Sequence, residues 1–333
     1  IIKLKKEKMS LDLGQYAEDY DSIFIYSENS EKEIEPDSYI KIYTAENKEN
    51  KAVILKAIDK ELLKEEEDYD FHIECIQKEI ELNNLCNSDY ILKLNRNFET
   101  NKNFVFEFEY YDCDLKQYLF ENGKLEEKLV GRNNLQIFKD ITKAIAKAIK
   151  YIHEKGVVHR NIKPHNIFIE LDSDGKKIKN VKLGDFSTAI YIKEINDSEP
   201  MGTIFYTAPE IIKNLDYTEK CDMWSIGLTL FDIYFGVLPY GSVVNTKIMN
   251  DMIYNEKKFV YRKSGIPTLD ILFRRLLQIN PDNRMDSSEF YDYVTNENFL
   301  KSDVIAINDD MKYLNLYQEI INSPQIEYKD KLK

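Results

Sequence analysis

The sequence predicts an α+β fold in which a small antiparallel sheet region precedes a larger, mainly helical region. Short segments rich in β-branched and aromatic residues occupy the first third of the chain, and helical patterns dominate from about 111 to 300. Strands first and helices afterwards are typical of α+β chains. With 333 residues, 43% of them hydrophobic, the chain is longer than one small domain requires.

The strand pattern begins near residue 22 and is interrupted once. DSIFIY, SYIKIYTA and KAVILKAI each have the composition of a short strand. The acidic run Glu65–Asp70 is interpreted as a solvated linker, and HIECIQKEIELNNLC after it has apolar residues near helical spacing. Strands are predicted again at YILKLNRNF and NFVFEFEYY.

Helices are predicted over most of the remainder. Leu115–Leu119 starts a short helix, and CDMWSIGLTLFDIYFG is apolar enough to be a buried one. The segment from Asn134 to His153 is amphipathic, with one apolar stripe formed by Leu135, Phe138, Ile141, Ile145, Ile149 and Ile152. We therefore divide the chain into an N-terminal extension (1–20), a sheet lobe (21–110), a helical lobe (111–300) and a tail with an amphipathic helix (301–333).

Composition argues against several classes of protein. A net charge of −13 argues against nucleic acid as a main partner, and no apolar run approaches the roughly 18 residues of a membrane span. The start, IIKLKKEKMS, lacks Met and an apolar signal core and is interpreted as internal or trimmed. The cysteines lack metal-ligand spacing and are interpreted as free thiols in a reducing compartment, which predicts a cytoplasmic location; they are Cys75, Cys86, Cys113 and Cys221.

Three motifs between Val157 and Glu210 carry the strongest functional signal. VVHRNIKPHNIFIE, VKLGDFSTAI and GTIFYTAPE follow one another within this stretch. Their order and spacing resemble the catalytic loop, metal-binding turn and activation segment of eukaryotic protein kinases. Lys163 and the proline after it resemble the serine/threonine branch. The resemblance covers about residues 35–300 and implies the bilobal kinase fold.

The resemblance implies a nucleotide site with several retained residues. AVILK resembles the family's VAIK strand, so Lys56 is expected to bind phosphates and to pair with Glu79 of the following helix. Asn166 and Asp185 match the two metal ligands, and both offer oxygen atoms suited to Mg²⁺. These residues leave ATP and Mg²⁺ open as cofactors.

The catalytic loop departs from the family at its reacting position. Asn161 stands where the family has the aspartate that accepts or orients the proton of the substrate hydroxyl. An amide cannot act as a base at neutral pH. Lys163 is retained beside it. Ser187 replaces the glycine of DFG, which is expected to stiffen the turn without changing a metal ligand.

The phosphate and adenine contacts depart further. The family's loop glycines correspond to Glu35, Asp37 and Ile40, and there is no glycine between Gln15 and Gly123. Carboxylates at these positions would repel a triphosphate. Bulky side chains are expected to fill part of the adenine pocket, although ordinary core variation remains an alternative; the base-site residues are Ile54, Phe108, Glu109 and Phe168.

Other matches concern the framework. The resemblance implies that Glu210 pairs with Arg284 and that Asp222 holds the catalytic-loop backbone. Arg160 is a candidate receiver of a phosphate on Ser198, with simple loop hydroxyls as the alternative. The family's stack of four apolar side chains contains a polar Asn83 here, which costs free energy unless it is hydrogen-bonded; the stack corresponds to His159, Phe186, Leu94 and Asn83.

The sequence therefore predicts a pseudokinase, a kinase-like domain that binds a partner protein as a scaffold or as an allosteric regulator, for instance of an active kinase. No nucleic acid or membrane partner is expected. The alternatives are an active serine/threonine kinase transferring the ATP γ-phosphate to protein, or such a kinase inactivated by an engineered Asp→Asn substitution at Asn161. A nucleotide-binding switch without transfer is a further alternative.

Overall fold

The computed structural model describes residues 25–33, 39–47, 49–66, 68–119, 134–175, 177–197, 204–239 and 263–300. The predicted N-terminal extension and tail helix lie outside these residues, as do Glu35, Asp37 and Ser198. The chain forms two compact units, Ile1–Tyr118 with His165–Ile190, and Leu119–Pro164 with Tyr191–Lys333. The first unit thus extends past residue 110 and takes in a second segment, and the predicted division at 110 stays a prediction.

The first unit is built on a five-stranded antiparallel sheet in the order β1-β2-β3-β5-β4. Its strands are β1 Ile25–Glu33, β2 Ile40–Glu46, β3 Ala52–Asp59, β4 Leu94–Glu99 and β5 Asn103–Glu109. The two helices that follow β3 are α1 Lys60–Leu63 and α2 Tyr69–Leu85.

The central strand β3 is buried on both faces, as its β-branched composition predicts. Because successive side chains point to opposite faces, Ile54 and Leu55 enter different clusters. Ile54 packs in the cluster that contains Ile76 of α2 and Phe108 of β5. Leu55 packs in a second cluster with Ala45, Val53, Phe98 and Val105.

A second sheet of the first unit has the order β6-β8-β9, with strands β6 Cys113–Asp114, β8 Ile167–Leu171 and β9 Ile178–Leu183. β8 and β9 are antiparallel, and Ile167 lies opposite Leu183. Leu183 is also hydrogen-bonded to the segment before β4, since Leu92 N donates to Leu183 O over 2.8 Å. The end of the hairpin is therefore fixed against the rest of the unit.

The second unit is mainly helical, which confirms the α+β fold. Its longer helices are α4 Leu135–Glu154, α6 Lys220–Phe235, α7 Pro267–Leu276 and α8 Ser287–Thr295. The shorter elements of the chain are α3 Leu115–Leu119, β7 Val157–Val158, β10 Ile190–Tyr191 and α5 Pro209–Ile212, with 3₁₀ turns at Pro164–Asn166, Ile192–Asp197, Ile204–Tyr206 and Pro281–Asn283.

The helix boundaries follow local chemistry. Asn134 caps α4 by accepting a hydrogen bond from Ile137 N, and Asp286 and Glu289 form a capping box at α8. Gly236 ends α6 in the left-handed region, with φ +73°. Every residue of α6 from Cys221 to Phe235 is buried, which confirms the prediction of a core helix.

Among the helices in the described part of the chain, none is both long enough and apolar enough to cross a membrane. None of the four cysteines, which all lie in the described part of the chain, forms a disulfide.

Candidate functional site

The predicted lysine–glutamate ion pair is present in the first unit. Lys56 of β3 donates to both carboxylate oxygens of Glu79 of α2, each over 2.8 Å. The two side chains are almost fully buried, at 10% and 2% exposure. Burial alone would lower the pKa of Lys56, but the carboxylates of Glu79 and Asp185 outweigh it and raise that pKa, so Lys56 stays charged.

Asp185 lies at the open end of the β8–β9 hairpin, beside Asn166. The hairpin brings them together because Ile167 pairs with Leu183, and Gly184 N continues the ladder by donating to Asn166 O over 3.0 Å. Asp185 has a φ of +63°, in the left-handed region. Its Oδ1 lies 3.8 Å from Lys56 Nζ, so three charged side chains meet at this point.

Ser187 makes a contact that sequence reasoning missed. Its hydroxyl donates to Asp185 Oδ1 over 2.8 Å. Ser187 changes no predicted ligand, as expected, yet it occupies one oxygen of that ligand. Ser187 does not have a positive φ. Serine in place of glycine therefore introduces no strain into the backbone of this turn.

The metal side of the site fits a divalent cation in its donors. Asp185 and Asn166 offer oxygen atoms at the same hairpin end, and the Asp185 side chain is 26% exposed. Within the described ranges, no cluster of three or more histidine, cysteine, aspartate or glutamate residues forms a metal site of another kind. A cation here would therefore depend on these two side chains, and at Asp185 Oδ1 it would compete with the Ser187 hydroxyl.

The adenine side is packed with the chain's own side chains. Ile54 and Phe108 are buried members of one apolar cluster, and Phe168 and Tyr111 pack against it. The Phe168 and Tyr111 rings lie 4.3 Å apart between centroids. Tyr111 was not foreseen, since nothing in its sequence position predicts which way its ring points. Burial raises the pKa of its phenol, with smaller effects from Asp114 and Asp185.

Gly184 makes room for the large ring of Phe168. A Cβ placed on Gly184 would lie 2.7 Å from Phe168 Cε2 and 2.9 Å from Leu92 Cβ, which is closer than carbon atoms approach. A cavity of about 10 Å³, room for about one water, lies beside these rings. It is lined by Leu92, Glu109, Tyr110, Tyr111, Phe168, Glu170, Asn180 and Lys182. The rings of Phe168 and Tyr111 thus pack together on the side where the resemblance places the base, and weak binding of a base stays a prediction.

Glu109 is held by structural contacts. Lys182 of β9 donates to both of its carboxylate oxygens over 2.7 Å, and Lys93 N donates to Oε1 over 2.7 Å. Glu109 N donates to Lys93 O. The side chain thus ties β5 to β9, and a contact of Glu109 with a nucleotide stays a prediction.

The catalytic loop belongs to the second unit and is shaped by Asp222 of α6. Asp222 Oδ2 accepts from His159 N and Oδ1 from Arg160 N, each over 2.8 Å, which confirms the predicted support of the loop backbone. His153 Nε2 lies 3.0 Å from Oδ2. Burial alone would raise the pKa of Asp222, but the hydrogen bond and charge of His153 outweigh it and lower that pKa.

Asn161 and Lys163 lie in this supported loop, both half-buried. Asn161 N donates to His159 Nδ1 over 3.3 Å, and Thr229 of α6 donates its hydroxyl to Ile162 O over 3.4 Å. The loop therefore has fixed backbone contacts on both sides of position 161. The amide stands on an ordered framework that carries no base.

Arg160, the predicted phosphate receiver, is buried and has a φ of +65°. Its Nη1 donates to the Tyr217 hydroxyl over 3.1 Å. This contact engages the guanidinium within the second unit. Phosphate binding by Arg160 stays a prediction.

The predicted pair of Glu210 and Arg284 is confirmed. Arg284 Nη1 and Nη2 donate to the two Glu210 oxygens over 2.6 and 2.9 Å, a bidentate contact. Arg284 also donates to the backbone oxygens of Gln278 and Lys220. The pair joins the APE motif to the helical core of the second unit.

The side-chain amide of Asn83 is hydrogen-bonded through its nitrogen atom. Asn83 Nδ2 donates to Glu79 O over 2.8 Å, while Oδ1 is buried with no donor among the described residues. Of the other residues in the predicted stack, Leu94 and Phe186 are buried in the first unit, and His159 is buried in the second. The expected cost of a polar residue in this stack is thus only partly relieved.

Comparison with known proteins points to one family. The family model described as Protein kinase domain matches residues 37–294. Serine/threonine-protein kinase 33 of Bos taurus is 25% identical over 82% of this chain and 57% of its own length. Serine/threonine-protein kinase ULK3 of Xenopus laevis is 27% identical over 76% and 52%.

A probable myosin light chain kinase of Dictyostelium discoideum is 34% identical over 69% of this chain and 45% of its own length. The chain spans about half the length of the curated relatives it matches. The matched range contains both the charged site around Lys56 and the loop that carries Asn161.

Proposed function

The chain belongs to the protein kinase family, and from this premise we propose that it is a pseudokinase that works by binding a protein partner rather than by transferring phosphate. It serves as a scaffold or as an allosteric regulator, and an active kinase is the partner class that suits a kinase-like surface. Typical members of the family use ATP and Mg²⁺. In this chain, binding of ATP is weak or absent.

One observation carries the proposal: the catalytic loop keeps its framework and lacks its base. Asp222 supports the loop through His159 N and Arg160 N, yet position 161 holds an amide. General-base help and proton orientation at this position contribute about 10²–10⁴-fold in rate. A framework retained without the acting group supports a role for the shape of the domain.

The packed adenine side supports weak nucleotide binding independently. Phe168 and Tyr111 lie against the cluster that contains Ile54 and Phe108. A base could enter only if these rings moved, and close-packed side chains resist such movement. The lost glycines of the phosphate loop act in the same direction.

An active or engineered-inactive serine/threonine kinase remains the second candidate. The observation that favours it is the charged group of Lys56, Glu79 and Asp185. The lysine–glutamate ion pair that active kinases need is formed at 2.8 Å, and Lys56 Nζ lies 3.8 Å from Asp185 Oδ1. Catalysis of phosphoryl transfer consists mainly of positioning and electrostatics. Such a kinase would regain full activity from one substitution.

Phosphoryl transfer from radiolabelled Mg-ATP separates the two candidates. We would assay the chain and its Asn161→Asp variant for autophosphorylation and for transfer to a generic serine/threonine substrate, with Asn161→Asp/Lys56→Met as the background control. The proposal expects both proteins to stay at background. Efficient transfer by Asn161→Asp alone would establish the inactivated-kinase alternative, and transfer by the unmodified chain would establish an active kinase.

A further inference from the structure

We propose that the Ser187 hydroxyl binds the Asp185 carboxylate and competes with a divalent cation for it. A hydrogen-bond donor of the protein itself then occupies an oxygen that a cation would use. The Ser187 hydroxyl donates to Asp185 Oδ1 over 2.8 Å. Lys56 Nζ lies 3.8 Å from the same oxygen. One oxygen of the predicted metal ligand therefore faces a hydroxyl proton and an ammonium group.

The charges around Asp185 partly compensate one another. Lys56 is shared between Asp185 and Glu79, whose two oxygens each accept from it over 2.8 Å. One ammonium group and two carboxylates leave a single negative charge in a largely buried setting. A divalent cation entering beside Lys56 would reverse that charge and meet the ammonium group at short range.

Serine in place of glycine at residue 187 adds this hydroxyl to the site. Glycine, which DFG has at this position, offers no side-chain donor. A serine two residues after an aspartate can reach its carboxylate locally, and hydrogen bonds to an ionised acceptor are about twice as strong as neutral ones. A cation that uses Oδ1 competes with this bond for the electron density of the oxygen, so the hydroxyl lowers cation affinity.

The backbone conformation of the turn allows the hydrogen bond between Ser187 and Asp185 to form without strain. Asp185 carries the positive φ of +63°, and Ser187 does not share that conformation. The serine therefore adopts its hydrogen bond without the backbone strain that a side chain has in the left-handed region. Ser187 acts on the cation through Asp185 and is a positioning residue.

This inference concerns the site of the proposed function and rests on it for the role of the cation, but it does not involve Asn161. Phosphoryl transfer tests the catalytic loop of the second unit, whereas cation affinity tests Asp185 in the first. A failure of either therefore leaves the other result interpretable.

The test is Mn²⁺ binding without nucleotide, followed by the electron paramagnetic resonance signal of the free ion. The proteins are the unmodified chain, Ser187→Ala, Ser187→Thr, and Ser187→Ala combined with Asp185→Asn. We expect Ser187→Ala to bind Mn²⁺ roughly tenfold tighter than the unmodified chain, because one charged hydrogen bond no longer competes. Ser187→Thr keeps the hydroxyl and should behave like the unmodified chain.

The combined variant identifies the site, since the gain in affinity should disappear when Asp185 loses its charge. A melting curve of each protein in Mn²⁺ and in chelator provides the second measurement, with a cation-dependent shift expected for Ser187→Ala only. Equal affinity in the unmodified chain and Ser187→Ala, including no binding by either, would overturn the inference. A gain that survives in the combined variant would overturn it as well.

Discussion

The charged site of the first unit and the catalytic loop of the second have diverged in opposite ways. Lys56, Glu79 and Asp185 keep the side chains that would act on a nucleotide, while the residues around them have changed. The catalytic loop keeps the contacts that shape it, through Asp222, and has changed the side chain that would act. Framework and chemistry are therefore separable in this fold.

The comparison assigns different costs to substitutions in the two regions. Framework contacts of the second unit are buried and bidentate, so their removal should lower the free energy of unfolding most. Apart from the buried Lys56–Glu79 pair, contacts of the nucleotide side are packing adjustments that a second substitution can compensate. The predictions below test this ranking.

The largest effect is expected from Arg284→Met, which leaves the Glu210 carboxylate buried without its partner. Breaking a buried pair at one side costs about 3–5 kcal/mol of unfolding free energy. Urea unfolding measures it. The matched control is Lys64→Met, which breaks an exposed pair with Glu61 and should cost far less. Similar losses in both variants would contradict the ranking.

The Asp222 carboxylate should make the free energy of unfolding depend on pH in the acidic range. Its pKa is lowered in the folded protein, because the bond and charge of His153 outweigh burial. A lowered pKa contributes stability above the unfolded-state value, and that stability is lost as pH falls through the folded-state value. Urea unfolding between about pH 7 and about pH 3 should show a steeper loss in the unmodified chain than in Asp222→Asn. Equal slopes would refute this role.

Asp222→Asn should also be less stable at neutral pH. An amide presents one acceptor oxygen where His159 N and Arg160 N each use a separate carboxylate oxygen, so one buried donor loses its bond. The expected cost is about 1–3 kcal/mol.

Gly184→Ala should destabilise the first unit by about 1–3 kcal/mol, because the new Cβ meets the Phe168 ring. Phe168→Leu should remove the part of that clash that involves the ring, while the close approach to Leu92 Cβ remains. A double-mutant cycle by thermal or urea unfolding measures the coupling, and Gly184→Ala/Phe168→Leu is expected to lose less stability than the sum of the two single variants. Additive losses would show that the two positions are not matched.

The smallest effect is a gain. Asn83→Leu replaces a buried amide whose Oδ1 has no donor among the described residues, so the unfolding free energy should rise by about 1 kcal/mol. Asn83→Asp is the contrasting variant and should lower it, because it adds a charge beside Glu79 O. A loss of stability in Asn83→Leu would mean that the amide is better satisfied than its contacts indicate.

Local patterns predicted most of the fold. The helix Leu115–Leu119 and the strand around Lys56 were foreseen because apolar periodicity reports burial directly. The pairing of Lys56 with Glu79 followed from the family resemblance, and so did that of Glu210 with Arg284. The structure reproduces these contacts.

Side-chain direction was beyond the sequence. The ring of Tyr111 against Phe168 depends on a rotamer and on the space left by Gly184, and neither is encoded in a local pattern. The same holds for the Ser187 hydroxyl, whose contact with Asp185 depends on the turn between them. Bulk at positions 54 and 168 was predictable, but how the bulk is accommodated was not.

The most direct test of the central claim, that the nucleotide side is filled by the chain's own residues, is a thermal melt with and without saturating Mg-ATP. A ligand at about 100 times its dissociation constant adds roughly 2.7 kcal/mol, a shift of a few degrees in a chain of this size. We predict no shift for the unmodified chain or for Asn161→Asp. A clear shift that depends on Mg²⁺ would show an open pocket and contradict the account.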